Sequence, residues 1–202
     1  MKVVLASSNP GKIKEFQEIF SKINFIIMSQ NNFNVPNADE TGLTFIENAI
    51  IKARNACKYT NLPALADDSG LEVDILNGAP GIYTARFAGE NASAEDHNNK
   101  LLAELKDVPK EKRTARFCCA LVFMRHHLDP TPIISQAFWH GLILEKPDGK
   151  NGFGYDPIFY VPEKNLSAAK LNPEEKHQIS HRGKALKELL RQLKETQTFT
   201  TL

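Results

Sequence analysis

The sequence predicts a mixed α/β fold built on an elongated, twisted sheet. Three observations carry that prediction. Strand and helix patterns alternate through the first half of the chain, two long apolar strand patterns at 116–124 and 133–144 follow with only a short polar loop between them, and the last helical pattern carries leucines on one face. The 202 residues amount to about 1.3 typical domains, so one domain spanning 1–202 fits better than two independent ones.

The elements follow in order. Lys2 to Ala6 reads as a short buried strand that Ser7-Ser8-Asn9-Pro10-Gly11 breaks. Asn9 and Pro10 stand where an N-cap and a first helical residue belong, and Ile13, Phe16 and Phe20 then recur at helical spacing. A second helix is expected from Thr44 to Tyr59, with Ile46, Ile50, Ala53 and Cys57 on its apolar face. Pro63 to Ala66 is a short apolar run that stops at Asp67-Asp68-Ser69-Gly70, which reads as the end of a strand. Ser93 with Asp96 has the form of a capping box for a helix running to about Leu105. The two long strands are expected to be antiparallel neighbours joined by the loop 126–132. A Gly/Pro-punctuated loop, Asn151 to Pro157, precedes a strand from Ile158 to Val161. Asn172-Pro173-Glu174-Glu175 starts a short helix, and Leu186, Leu189, Leu190 and Leu193 form the buried stripe of the last one.

Composition narrows the class. Hydrophobic residues make up 42% and charged residues 24%, and 25 lysines and arginines against 24 aspartates and glutamates leave a net charge of +1. That balance excludes a generic polyanion binder but leaves room for a local phosphate site, and no nucleic-acid partner is expected. No apolar stretch is long enough to span a membrane. The opening MKVVLASSN turns polar too early for a signal peptide. Three cysteines, two of them adjacent, have no metal-ligand spacing and suit reduced thiols in the cytoplasm.

Four segments carry candidate chemistry. Ser7, Ser8, Asn9, Pro10, Gly11 and Lys12 form a small-residue loop between a strand and a helix N-terminus, which favours an anion through backbone N–H groups and the helix dipole. The same pattern also serves as an ordinary capped turn, and it lacks P-loop spacing. Asp67 and Asp68 are adjacent carboxylates of the type that holds Mg²⁺ and activates water, with Asp39-Glu40 a second acidic pair ahead of the second helix. A solvated turn is the plain alternative. In Gly152-Phe153-Gly154-Tyr155-Asp156-Pro157, glycines flank aromatic rings and leave room for a stacked base. Lys176 and Ser180-His181-Arg182-Gly183 place hydrogen-bond donors near a helix end, where they suit an oxo-bearing ring or phosphate, or simply complement the helix dipole. His177 and His181 stand four apart, but Gln178 replaces the glutamate that a zinc protease needs.

Taken together, SSNPGK at 7–12, ETGLTFIENAIIKA at 40–53, ADDSGLEVDILNGAPGIYTARFAG at 66–89, GFGYDPIF at 152–159 and SHRGKA at 180–185 resemble the inosine/xanthosine triphosphate pyrophosphatase family along nearly the whole chain. The resemblance implies a long mixed sheet flanked by helices, two lobes with the active cleft between them, and a homodimer. It implies Mg²⁺-dependent hydrolysis of deaminated purine nucleoside triphosphates to the monophosphate and pyrophosphate, which clears them from the nucleotide pool. By the same resemblance Ser7 to Lys12 bind the phosphates, Asp68 is the proton acceptor and a metal ligand, and Glu40 and Asp67 support it. Lys52 reaches the phosphates and Ser69 touches substrate, while Phe153, Gly154, Tyr155, Asp156, Lys176, His181 and Arg182 bind the nucleotide and its base. Lys170 and Pro10 depart from the family pattern. Two other readings compete: a Maf-like pyrophosphatase acting on modified or pyrimidine nucleotides, suggested by LASSNPGK, and a non-catalytic nucleotide- or RNA-binding module.

Overall fold

Val3, Val4 and Leu5 are apolar in succession, and a strand that is apolar on both faces belongs inside a sheet rather than at its edge. A computed structural model of the chain, which describes residues 1–20 and 25–196, places it there. The strands are β1 (Lys2–Leu5), β2 (Ile26–Ser29), β3 (Ala64–Val73), β4 (Thr114–Met124), β5 (Ile133–Ile143), β6 (Phe159–Val161) and β7 (Leu166–Ser167). The helices are α1 (Pro10–Phe20), α2 (Phe45–Thr60), α3 (Ala94–Glu104), α4 (Pro173–Ile179) and α5 (His181–Glu195), with short 3-10 turns between elements. The strands form one sheet in the order β2-β1-β3-β4-β5-β6-β7. β1 runs parallel to β2 and β3, as strands joined through a helix must, whereas β6 is antiparallel to β5 and β7. The sheet is therefore mixed, as the family resemblance implies.

The chain divides into two compact units. The first comprises Met1–Asp68, Ala120–Gln136 and the chain from Ala185, and the second Ser69–Cys119 and Ala137–Lys184. In the first, Phe16, Phe20, Phe25 and Phe123 make a chain of ring contacts with centroids 5.6 to 6.4 Å apart. In the second, Leu71, Leu101, Leu105, Phe117, Trp139, Ile158 and Phe159 form the core. Among the described residues no helix is long and apolar enough to cross a membrane.

Local signals explain most element ends. Asn9 Oδ1 accepts from the N–H groups of Gly11 and Lys12 at the start of α1. Thr44 caps α2, Ser93 and Asp96 make the full capping box on α3, and Asn172 caps α4. Three expectations need correction. β3 does not stop at Ala66 but runs on through Asp67, Asp68, Ser69 and Gly70 to Val73, because its far half packs Leu71 and Val73 into the core. The buried face of α2 is rotated from the expected one: Phe45, Asn48, Ala49, Ala53, Ala56 and Cys57 are buried, while Ile46 and Ile50 are only partly so. Small residues let this helix lie close to its neighbours, and the isoleucines flank the contact. Gly183 does not end the His177 helix; Ser180 separates α4 from α5, and Gly183 lies in the first turn of α5.

The loop after β4 contains one buried carboxylate. Asp129 accepts from the Arg125 backbone N–H and guanidinium and from the Thr131 N–H, at 2.5 to 3.1 Å. The Arg125 guanidinium, chiefly by hydrogen bonding, holds this carboxyl well below the usual range. A depressed folded value means the stabilisation is present above the unfolded pKa of about 4 and is lost as pH falls toward the folded one. Asp129→Asn is expected to lower stability by about 2 kcal/mol near neutrality. Melting both proteins from pH 8 to pH 2.5 should show a constant gap above about pH 5 that narrows below about pH 4. A gap that does not respond to pH contradicts the assignment.

Candidate active site

Consecutive side chains on a strand point to opposite faces, so Asp67 and Asp68 on β3 diverge. Each meets its own lysine. Lys12, from the first turn of α1, brings Nζ to 2.5 Å from Asp67 Oδ1, whose side chain is fully buried. Lys52, from the middle of α2, brings Nζ to 2.6 Å from Asp68 Oδ1 and 3.3 Å from Glu40 Oε1. The adjacent carboxylates thus face different lysines. The pairing that forms is Asp68 with Glu40 across Lys52, and Asp67 instead holds Lys12. Burial, reinforced by the charge of Glu40, raises the Asp68 carboxyl above its ordinary value despite the opposing pull of Lys52. For Lys52, burial alone would lower the ammonium, but the charges of Asp68 and Glu40 outweigh it and the net shift is upward. The segment carrying Glu40 is tied down by the buried Asn48, whose Oδ1 accepts from the Gly42 N–H at 2.8 Å.

The loop from Ser7 to Lys12 lies next to this cluster, through Lys12. Its amides are engaged locally: the Asn9 N–H donates to Ser7 Oγ, and those of Gly11 and Lys12 donate to Asn9 Oδ1. Pro10 has no N–H to offer. A phosphate would reach the Gly11 and Lys12 amides by displacing Asn9 Oδ1 and that of Asn9 by displacing Ser7 Oγ, whereas Lys12 carries a full positive charge at the end of the loop. Ser8 and Asn9 are exposed, and Ser69 follows Asp68 on β3, half-buried.

A second cluster belongs to the other unit. Asp156 Oδ2 accepts from the Phe153 N–H at 2.8 Å and from Lys176 Nζ at 2.5 Å, which ties the loop to α4. Gly152, at φ +78°, is required here because a Cβ would stand 2.1 Å from the same Asp156 oxygen. The Phe153 ring is 55% exposed, with Lys176 Nζ 4.8 Å and Arg182 Cζ 5.7 Å from its centroid. The exposed ring is thus bordered by two cations, Lys176 paired with Asp156 and Arg182 itself buried. Tyr155 faces inward: it is buried and donates to the Thr84 carbonyl at 3.0 Å. The Gly154 carbonyl accepts from Asn98 Nδ2 at 3.1 Å. Both contacts hold the loop in place. His181 is also buried, stacked 4.8 Å from Phe117 at an interplanar angle of 14°. His181 and Arg182 open α5 and follow directly on the C-terminus of α4.

Sequence reasoning did not single out Asn48, Thr84, Asn98 or the Phe117 platform. Asn48 had a faint signal, a polar residue on an otherwise apolar helix stripe; the others had none. Lys170, outside the expected family pattern, pairs with Asp148 Oδ1 at 2.6 Å on the surface.

A family model described as the Ham1 family matches residues 3–192. A dITP/XTP pyrophosphatase of Vibrio cholerae serotype O1 is 58% identical over 197 residues, covering 98% of both chains. A solved HAM1 protein from Coxiella burnetii superposes with a TM-score of 0.91 at 49% identity, covering 96% of this chain and 99% of that one. A nucleoside-triphosphatase / dITP/XTP pyrophosphatase from Mycobacterium abscessus gives a TM-score of 0.78 at 40% identity, over 94% and 99% respectively.

Proposed function

The chain belongs to the Ham1 family, and we propose that it hydrolyses deaminated purine nucleoside triphosphates, dITP and XTP among them, to the monophosphate and pyrophosphate. The observation that carries this reading is Asp68: a buried carboxylate with a raised pKa, held beside Lys52 and Glu40. A carboxylate moved toward neutrality is a better proton acceptor from water than an exposed one. In the proposed step a water oxygen forms a bond to the α-phosphorus as its proton passes to Asp68. The bond from that phosphorus to the bridging oxygen breaks, and pyrophosphate leaves. Lys12 and Lys52 offset the charge that accumulates on the departing phosphates.

Glu40 Oε1 and Asp68 Oδ1 face a single cationic nitrogen, and such a pair of hard oxygens suits Mg²⁺. Among the described residues no group of three His, Cys, Asp or Glu could hold a metal. Two carboxylates with waters and phosphate oxygens completing the shell are the usual Mg²⁺ arrangement, so the residues fit this ion. When bound, the ion neutralises phosphate charge as a Lewis acid.

The second cluster serves the base. Phe153 offers its ring for stacking, and Lys176 and Arg182 offer donors to the 6-oxygen of hypoxanthine or xanthine, where adenine carries an amine. His181, stacked on Phe117, orients the start of α5, and a role in direct base contact is assigned to it by the family resemblance. A donor set facing an amine leaves polar groups unpaired, which is a strong form of discrimination. Arg182→Ala is expected to lower the ratio of kcat/KM for ITP over ATP by about tenfold or more. Because the ratio is taken on one protein, partial unfolding does not mimic it; an unchanged ratio contradicts this account of base selection. Hydrolysis in ¹⁸O-water tests the bond cleaved: label should appear in the monophosphate and not in pyrophosphate. The 202 residues make one catalytic domain, in which β3, β4 and β5 each begin in one unit and end in the other. A cytoplasmic homodimer that acts on free nucleotides, with no nucleic-acid partner, completes the proposal.

A further inference from the structure

Lys52 already occupies the position that a cation shared by Glu40 and Asp68 would take. Its Nζ lies within 3.3 Å of an oxygen of each, its side chain is only 15% exposed, and Asp68 beside it is 11% exposed. A divalent ion bound to both oxygens at about 2.1 Å would crowd that ammonium, and two like charges so close repel strongly. Cation and ammonium therefore exclude each other from this position. Lys52 sits mid-helix on α2, so its Cα is fixed, but its four-carbon stem can turn without moving the fold. Lys12 makes its own ion pair, with Asp67 Oδ1 at 2.5 Å, and does not bridge Glu40 and Asp68 as Lys52 does.

We propose that Lys52 is a resident counter-ion of the Glu40–Asp68 pair and the residue that makes metal and nucleotide bind cooperatively. In the ligand-free chain it neutralises the two carboxylates and keeps them close, and so weakens their affinity for a free divalent ion. A phosphate chain offers Lys52 an alternative anion. Once Lys52 turns to it, the carboxylates are open to the metal, and metal binding in turn releases Lys52 to the phosphates. The coupling is reciprocal by linkage. This rests on the reading that Glu40 and Asp68 hold the metal, and it adds an order of events: the enzyme takes up little divalent ion until nucleotide arrives.

The test is calorimetric titration of nucleotide-free protein with Mn²⁺, a magnesium surrogate, at pH 7.5. Lys52→Met is expected to bind Mn²⁺ about tenfold tighter than wild type or more, because the competing cation is gone. Lys52→Arg keeps the charge and should bind as weakly as wild type. In the Lys52→Met background, Glu40→Gln should return binding to the weak level. Should Lys52→Met fail to fold, Lys52→Gln carries the same expectation. Unchanged or weaker Mn²⁺ binding in the neutral variant overturns the proposal, as does tight binding that survives Glu40→Gln. Wild-type hydrolysis of dITP with Mg²⁺, assayed in parallel, separates the two levels. Normal turnover alongside a failed titration removes only the counter-ion role, whereas an inert wild type removes the functional reading and this proposal with it.

Discussion

Asp68→Asn is expected to lower kcat for dITP by at least about 10³-fold, with a thermal midpoint within a few degrees of wild type. General base catalysis by a placed side chain contributes about 10² to 10⁴ in rate, and this substitution also removes one of the two carboxylate oxygens assigned to the metal. The fold should tolerate it. Asparagine is isosteric and keeps an acceptor for Lys52 Nζ, which lies 2.6 Å from Asp68 Oδ1, and Glu40 remains within reach of the same nitrogen. Burial disfavours the charge on Asp68 in the first place, so a neutral amide avoids a desolvation cost that partly offsets the lost ion pair. Steady-state kinetics with saturating Mg²⁺, paired with a melting curve, checks both halves. Near-normal turnover removes Asp68 from its assigned role.

Gly183→Ala is expected to destabilise the protein by about 3 kcal/mol, a fall in Tm of roughly 6 to 12 °C for a chain of this size. Glycine to alanine inside a helix ordinarily stabilises by up to about 1 kcal/mol, so the sign itself is the test. The reason for the reversal is contact. A Cβ at Gly183 would stand 1.6 Å from the His177 carbonyl oxygen and 2.8 Å from its carbon, which are backbone atoms of α4 that no rotamer change can move. α4 and α5 would have to separate, breaking the bond from the Gly183 N–H to Ser180 Oγ. His181 would then move off Phe117, and Arg182 off Phe153. Thermal melts measure the effect directly. A midpoint at or above wild type means that α4 and α5 are not packed as described.

How far the sequence could carry this picture depends on the range of each interaction. Caps are local, and Asn9, Thr44, Ser93 and Asn172 mark their helices within a residue of where they start. The acidic residues were legible as a class. Their geometry was not. Asp67-Asp68-Ser69-Gly70 has the composition of a turn, yet Leu71 and Val73 beyond it find a core and hold the segment as strand. Strand alternation then sends Asp67 and Asp68 to different lysines, an outcome that requires knowing where α1 and α2 lie. The GFGYDP loop shows the same limit. Its glycines and rings announce a special conformation, but only packing decides that Phe153 is exposed while Tyr155 is buried against Thr84. Ser180-His181-Arg182-Gly183 reads as a helix end because glycine usually stops helices; here glycine admits the close approach of α4 instead.

Product analysis tests the central claim most directly. Purified protein with Mg²⁺ is given ITP, dITP, XTP, dGTP, ATP and dTTP in separate reactions, and the nucleotide and phosphate products are quantified. Monophosphate and pyrophosphate in equal amounts from the first three, with the others nearly inert, is the predicted result. A preference for dTTP, or release of orthophosphate with a nucleoside diphosphate, would contradict it.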